Sequence, residues 1–265
     1  MTATAVRVSP EWLELREPAD AAARSGELAA RLARHLGAGD RLVIHDLGGG
    51  SGAMGRWLAP RLRRPQHWVV HDRDADLLQR AVAEPPPSAT VEAREDDITR
   101  LTRADLADAS LVTASALLDL LTADELGRLL EAAAGRPLLL ALTVVGRVTL
   151  SPAEALDARI AAAFDAHQRR ATATGRLLGP DAVGAAAAVL RGTGAELVVR
   201  PSPWRLEAAD ADLAAAWLDG WVAAACEQER ALAAEAGPYR GRRLAQAAAG
   251  QLAVTVGHAD LLALP

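Results

Sequence analysis

Apolar and polar positions follow two rhythms along the chain. From Trp12 to Gly37, Leu13, Leu28, Leu32 and Leu36 stand among alanines, arginines and acids at helical spacing, and Gly37-Ala38-Gly39 closes the stretch as a helix end would. Two short helices are expected there. Arg41-Leu42-Val43-Ile44-His45-Asp46 then reads as a buried strand that runs into Leu47-Gly48-Gly49-Gly50-Ser51-Gly52 and a helix through Met54, Trp57, Leu58 and Leu62. A second strand over 67–71 ends at Asp72, and Asp74 is placed to cap a helix through Leu77, Leu78 and Val82. Further strands are expected over 89–94 and 110–114. Thr122-Ala123-Asp124-Glu125 has the spacing of a capping box, and the unbroken apolar run within 136–145 suits a fifth strand covered on both faces.

Beyond that point the rhythm loosens. Ser151-Pro152-Ala153-Glu154 predicts a second capping box opening a helix to about Ala171, followed by a helix over 181–191 and a sixth strand over 195–200. Pro201-Ser202-Pro203-Trp204 breaks the chain, a helical region over about 208–250 is interrupted at Gly237-Pro238, and 251–256 reads as a seventh strand. Alternating strands and helices predict an α/β fold: a doubly wound, seven-stranded, mostly parallel sheet with N-terminal helices and a helical insertion before the last strand.

Composition narrows the chemistry. The chain has 265 residues, 51% of them hydrophobic and 24% charged, which suits a globular protein of this size. It contains no lysine, so Schiff-base chemistry, a Walker-type phosphate loop and a Tyr-x-x-x-Lys pair are excluded. With 29 basic residues against 34 acids the net charge is −5, so no nucleic-acid partner is expected. The lone Cys226 supports neither an internal disulfide nor a thiolate metal cluster, and no metal site is expected. Neither a membrane span nor a signal peptide is read in the sequence, so the expected location is cytoplasmic.

Gly50 to Gly55 matches G-x-G-x-x-G between a strand and a helix, which leaves a nicotinamide-dependent oxidoreductase open. Asp46, two residues before the first glycine, favours instead a ligand carrying an ammonium or a sulfonium over a pyrophosphate. With Asp46, Gly48, Gly50 and Gly52 as an acid followed by x-G-x-G-x-G, the chain resembles the class I S-adenosylmethionine-dependent methyltransferases. The resemblance implies S-adenosyl-L-methionine as cofactor. It also implies roles: Asp72 at the second strand end on the ribose hydroxyls, Arg73 beside the adenine, Asp97 and Ile98 after the third strand at the adenine, and Ser115 in the fourth motif. Asp96 stands where that family often has glycine, which leaves the adenine contact open between neighbours. The four motifs cover roughly residues 41 to 145 in the family's order.

The resemblance implies methyl transfer to a small-molecule acceptor, or a non-catalytic protein that binds the cofactor. Trp12, Arg16, Asp20 and Arg24 recur every four residues. They form either one face of a lid (residues 1–38, with the main domain over 39–265 and insertions at about 151–180 and 208–250) or a surface stripe of intrahelical ion pairs. Trp12, Arg16 and Arg170 are the candidate substrate contacts. His167 lies about 20° around the helix from Leu156, either as a core histidine or as a catalytic base, with His258 behind it. Leu213, Trp217 and Trp221 read as core packing or as the face of a homodimer.

Overall fold

The computed structural model describes residues 8–265. Residues 1–7 of the expected lid, and the part of the signal-peptide reading that rests on them, lie outside the described residues. Helix α1 (Pro10–Ala23) starts where the Ser9 hydroxyl accepts the Trp12 amide and Pro10 takes the first turn. Helix α2 (Gly26–Leu36) follows after one sharp change of direction and ends at Gly37, whose φ of +62° a side chain would disfavour. The alternation then runs β1 (Leu42–Leu47), α3 (Ala53–Leu58), β2 (Gln66–Asp72), α4 (Ala75–Ala83), β3 (Ala89–Glu95), β4 (Leu111–Ser115), α5 (Ala123–Ala132) and β5 (Leu138–Ser151). The expected capping box opens α5: Thr122 Oγ1 accepts the Glu125 amide and the Glu125 carboxylate accepts the Thr122 amide.

The second half contains α6 (Asp157–Gln168), a short hairpin of β6 (Ala171–Thr172) and β7 (Gly175–Arg176), α7 (Ala182–Gly192), β8 (Glu196–Pro201), β9 (Trp204–Leu206), α8 (Ala211–Gln228), α9 (Ala233–Ala248) and β10 (Ala253–Leu264). The main sheet has the order β3-β2-β1-β4-β5-β10-β8, with β9 pairing the outer half of β10. Its first five strands are parallel, and β10 runs antiparallel to β5, β8 and β9. Among the described residues the sheet has eight strands where seven were expected, because β9 forms just past the prolines read as a break.

Three further expectations are corrected. Ser151 ends β5 rather than capping a helix: the strand continues in register with β10 to Ala253, and α6 begins only at Asp157. The late helical region breaks at 229–232, and Pro238 lies inside α9. The last strand extends to Leu264, through two register shifts that hide its alternation. At the first of these, a Cβ on Gly257 would stand 2.9 Å from Val145 Cγ2, so glycine lets the two strands approach.

Helices α2, α3 and α4 cover one face of the sheet through Leu28, Leu32, Met54, Leu58 and Leu78, and α5 and α7 cover the other through Leu126, Leu129, Ala186 and Leu190. Each fully buried leucine there contributes about 1.5–3 kcal/mol, which holds the strand ends in place. The two expected insertions meet: α6, α8, α9 and β9 build a third core around Ile160, Trp204, Trp217, Trp221 and Tyr239. Trp217 and Trp221 stack at 5.1 Å inside it, so this stripe is core packing.

Candidate functional site

In a doubly wound sheet the ligand crevice lies beyond the carboxyl ends of the parallel strands. Strand β1 delivers Asp46 to that edge, opposite its register partner Thr113 on β4, whose hydroxyl donates to Asp46 Oδ1 at 2.7 Å. Asp46 is wholly buried, and its Oδ2 has no hydrogen-bond partner among the described residues. A Cβ on Gly49 would stand 2.6 Å from that oxygen and 2.8 Å from Val70, so the carboxylate lies under the glycine loop. Burial pushes its pKa up to about 7, against the opposing pull of the Thr113 hydroxyl and Arg24. Above it Gly48, Gly50 and Gly52 have φ values of +62°, +52° and +84°, and a Cβ on Gly48 would meet Leu117 at 2.9 Å.

At the end of β2, Asp72 joins two turns. Its Oδ2 accepts the Gly50 amide at 2.9 Å and its Oδ1 accepts the Asp74 amide at 3.0 Å, while Asp74 caps α4. Arg73 is paired at 2.5 Å with Asp97, which also accepts the Thr99 amide and hydroxyl. Burial raises the pKa of Asp97, but the Thr99 hydroxyl, Arg73 and the Thr99 amide together hold it below the ordinary value. Ile98 packs into the core beneath. Asp96 turns the other way, to His71 at 3.1 Å, so of the two neighbours Asp97 is the one that joins Arg73.

A buried chain lies beneath these turns. His71 meets His45 at 2.9 Å, and His45 meets Asp108 at 3.0 Å. With Asp96 at the other end, three contacts need three protons, whereas two neutral imidazoles supply two. Burial lowers both histidines' affinity for the third.

Helix α1 lies across the loop. Leu13 stands 3.7 Å from where a Gly50 Cβ would be, and Arg56 of α3 donates to both oxygens of Glu17 at 2.7 and 2.6 Å. Glu14 pairs with Arg80 of α4. The four-residue stripe faces inward: Arg16 grips both oxygens of Asp20, Trp204 donates to Asp20 at 2.9 Å, Arg16 lies over the Trp204 ring, and Trp12 packs against the same ring. The ion pair expected of a surface stripe is present, but Asp20 and Arg24 are buried.

Among the candidate substrate residues, Arg170 donates to the His167 carbonyl at 3.2 Å. His167 pairs with Glu227 of α8 at 3.1 Å, at the contact between α6 and α8, which answers neither to a core histidine nor to a base aimed at the cofactor loop. His258 is buried against Trp204, and burial with the nearby Arg16 pushes its pKa down to about 4. Sequence reasoning did not single out Asp119 as a base. It follows β4, it is half-buried, and its pKa is pushed up to about 6 by desolvation, against the pull of Arg16 and Arg170. Thr113 and Arg24, whose contacts to Asp46 and Ser115 shape the crevice, were not marked as site residues either.

Among the described residues no cluster of side chains suits a metal ion, and no helix is long and apolar enough to cross a membrane. No protein-family model and no curated protein matches the chain. In structure it is similar to the cyclopropane synthase MmaA2 from Mycobacterium tuberculosis, at 15% identity and a TM-score of 0.47 over 97% of this chain and 94% of that one. It is also similar to a SAM-dependent methyltransferase from Geobacter sulfurreducens in complex with S-adenosyl-L-homocysteine, at 14% identity and a TM-score of 0.46 over 97% and 99%. A third is phosphoethanolamine N-methyltransferase 2 from Haemonchus contortus in complex with S-adenosyl-L-methionine, at 14% identity and a TM-score of 0.42 over 90% and 51%. The order β3-β2-β1-β4-β5-β10-β8 with β10 antiparallel, and the glycine turn at the end of β1, give this chain the doubly wound, mostly parallel α/β sheet expected from the sequence.

Proposed function

We propose that the chain binds S-adenosyl-L-methionine over the loop from β1 to α3 and transfers its methyl group to a small-molecule acceptor. The observation that carries this reading is the antiparallel β10 between β5 and β8, beside a glycine turn with an acid under it. A dinucleotide-binding sheet of the 3-2-1-4-5-6 type would have a parallel strand there. That topology, rather than the charge at the loop, now separates the reading from a nicotinamide-dependent one.

The residues present fit such a cofactor. Gly48, Gly50 and Gly52 let the backbone come close, and the partnerless Asp46 Oδ2 offers a buried negative counterpart to an ammonium. Asp72 keeps lone pairs on both oxygens for ribose hydroxyls while its bond to Gly50 keeps the loop in shape. Asp97, held by Arg73 beside Ile98, faces the adenine end. When bound, the cofactor supplies an electrophilic methyl group on a sulfonium. The chain's part is to align the acceptor in line with it and to exclude water, which α1 does by lying over the loop. Trp12, Arg16 and Arg170 are the contacts proposed for the acceptor. Where the acceptor must lose a proton, Asp119 suits the role better than His167: its pKa of about 6 is close to neutral, and Arg16 and Arg170 are its neighbours. Calorimetric titration with S-adenosylhomocysteine and with NAD tests the reading. Binding of NAD alone would overturn it.

A further inference from the structure

Arg24 ends α1 and its side chain is 1% exposed, yet its guanidinium is only partly used. Nη2 donates to Ser115 Oγ at 3.1 Å, and the nearest carboxylate oxygen, on Asp20, is 3.9 Å away and already taken by Arg16. Nε and Nη1 have no partner among the described residues. A buried guanidinium with two idle donors is unfavourable unless something completes it.

The fold holds the group there. The next residue's amide, on Ser25, donates to Asp260 Oδ2 at 2.7 Å, and Asp260 Oδ1 accepts from Leu142 and Ser202 at 2.8 and 2.6 Å. Asp260 thereby fixes the bend between α1 and α2 against β10 and against Leu142 of β5, one residue past the end of the pairing between β4 and β5. Leu142 takes a φ of +54° at that point, and Ala116 takes +52° just after Ser115. Left-handed conformations in residues with a side chain gather where a site needs them. The guanidinium thus stands at the end of β4 with the Trp57 ring on one side, its centroid 5.7 Å away.

We propose that Arg24 is the anchor for a carboxylate of the bound ligand, and that this is the α-carboxylate of the cofactor's amino-acid portion. The proposal rests on the cofactor reading above. The surroundings select the anion. Asp20, Asp46 and Asp260 all act on Arg24, so a doubly charged phosphate would be repelled, whereas an amino acid brings its own ammonium and is close to neutral as a whole. Nη2 gives one hydrogen to Ser115, and its second, together with the hydrogen of idle Nε or Nη1 beside it, makes a fork that matches a planar carboxylate in two parallel bonds. Because the anchor sits at the hinge of α1 and α2, binding the ligand also holds the helix over the loop.

The test compares three probes in calorimetry: S-adenosylhomocysteine, its decarboxylated analogue, which keeps the amine, and methylthioadenosine, which lacks the amino-acid portion. Loss of one partner of a buried charge pair corresponds to about 30-fold or more in affinity. Wild type should prefer S-adenosylhomocysteine to the decarboxylated analogue by that factor. Arg24→Met should erase the preference while its affinities for the other two probes stay within about threefold of wild type. Arg24→Lys, which keeps the charge without the fork, should recover part of it. Equal losses on all three probes, or an intact preference in Arg24→Met, would overturn the anchor. Wild type binding none of the three would overturn the cofactor reading itself, and that is seen before any variant is made.

Discussion

Asp72 accepts the amide of Gly50 at 2.9 Å, so the acid that ends β2 holds the shape of the loop that ends β1. With Asp74 on its other oxygen, one carboxylate fastens two crossover turns. Asp72→Ala should therefore do more than remove a ribose contact. We expect S-adenosylhomocysteine affinity to fall by at least about 30-fold and stability by about 1–3 kcal/mol, the range for buried groups left unsatisfied. Calorimetry and urea unfolding measure the two. A loss of affinity with unchanged stability would show that the loop keeps its shape without Asp72.

The buried titrating groups oppose one another. His258, pushed down to about 4 in the folded chain, is protonated earlier in the unfolded one, near 6.5, so its contribution to stability is lost as pH falls between these values. His45 and His71, both lowered, act in the same direction. Asp46, raised to about 7 from 3.8, acts the other way: the folded chain carries a cost above pH 7 that shrinks as pH falls. Asp46→Asn should be about 1–3 kcal/mol more stable than wild type at pH 8 and should lose more stability than wild type between pH 7 and 4.5. Parallel stability curves for the two proteins would contradict this assignment.

The same carboxylate sets a pH dependence on binding. If the ligand's ammonium needs ionised Asp46, S-adenosylhomocysteine affinity should rise up to tenfold per pH unit below about 7 and level off above it. Asp46→Asn should bind more weakly with a flat profile. An unchanged slope in the variant would assign the effect to another group.

Helix α1 is clamped to α3 by Glu17 and Arg56, both about three-quarters buried. Glu17→Gln leaves the packing of α1 and removes the charge that Arg56 meets. Release of bound S-adenosylhomocysteine, followed by stopped flow, should speed up about 5- to 30-fold, a loss of roughly 1–2 kcal/mol on the closed form. Identical release rates would mean that α1 does not gate the site.

Removal of a base separates Asp119 from His167. For an acceptor that must lose a proton, Asp119→Asn should lower kcat by about 100-fold and remove the acidic limb near pH 6, whereas His167→Ala should stay within about threefold of wild type. Reversal of those two results would return the role to His167.

Features encoded within a short window were legible without the fold. The strand, turn and helix around 41–58, the glycines that follow Asp46, the cap at Asp74 and the box at Thr122 all rest on neighbours within a few residues, where backbone sterics and local hydrogen bonds decide the outcome. The stripe of Trp12, Arg16, Asp20 and Arg24 was visible as a period of four, but a period names a face and not what it meets. What it meets was settled by distant partners: Ser115 lies 91 residues from Arg24, Trp204 lies 184 from Asp20, and Asp260 lies 235 from Ser25. The partner of His167 was hidden for the same reason, because Glu227 is 60 residues further on. The second half of β10 was missed because its bulges and its buried His258 and Asp260 break the alternation that marks a strand. Local chemistry thus determined the glycine turn and the acids at the strand ends. Tertiary packing decided that Asp46 lies beneath the turn and that Arg24 reaches the crevice, since burial and charge pairing depend on which surfaces meet.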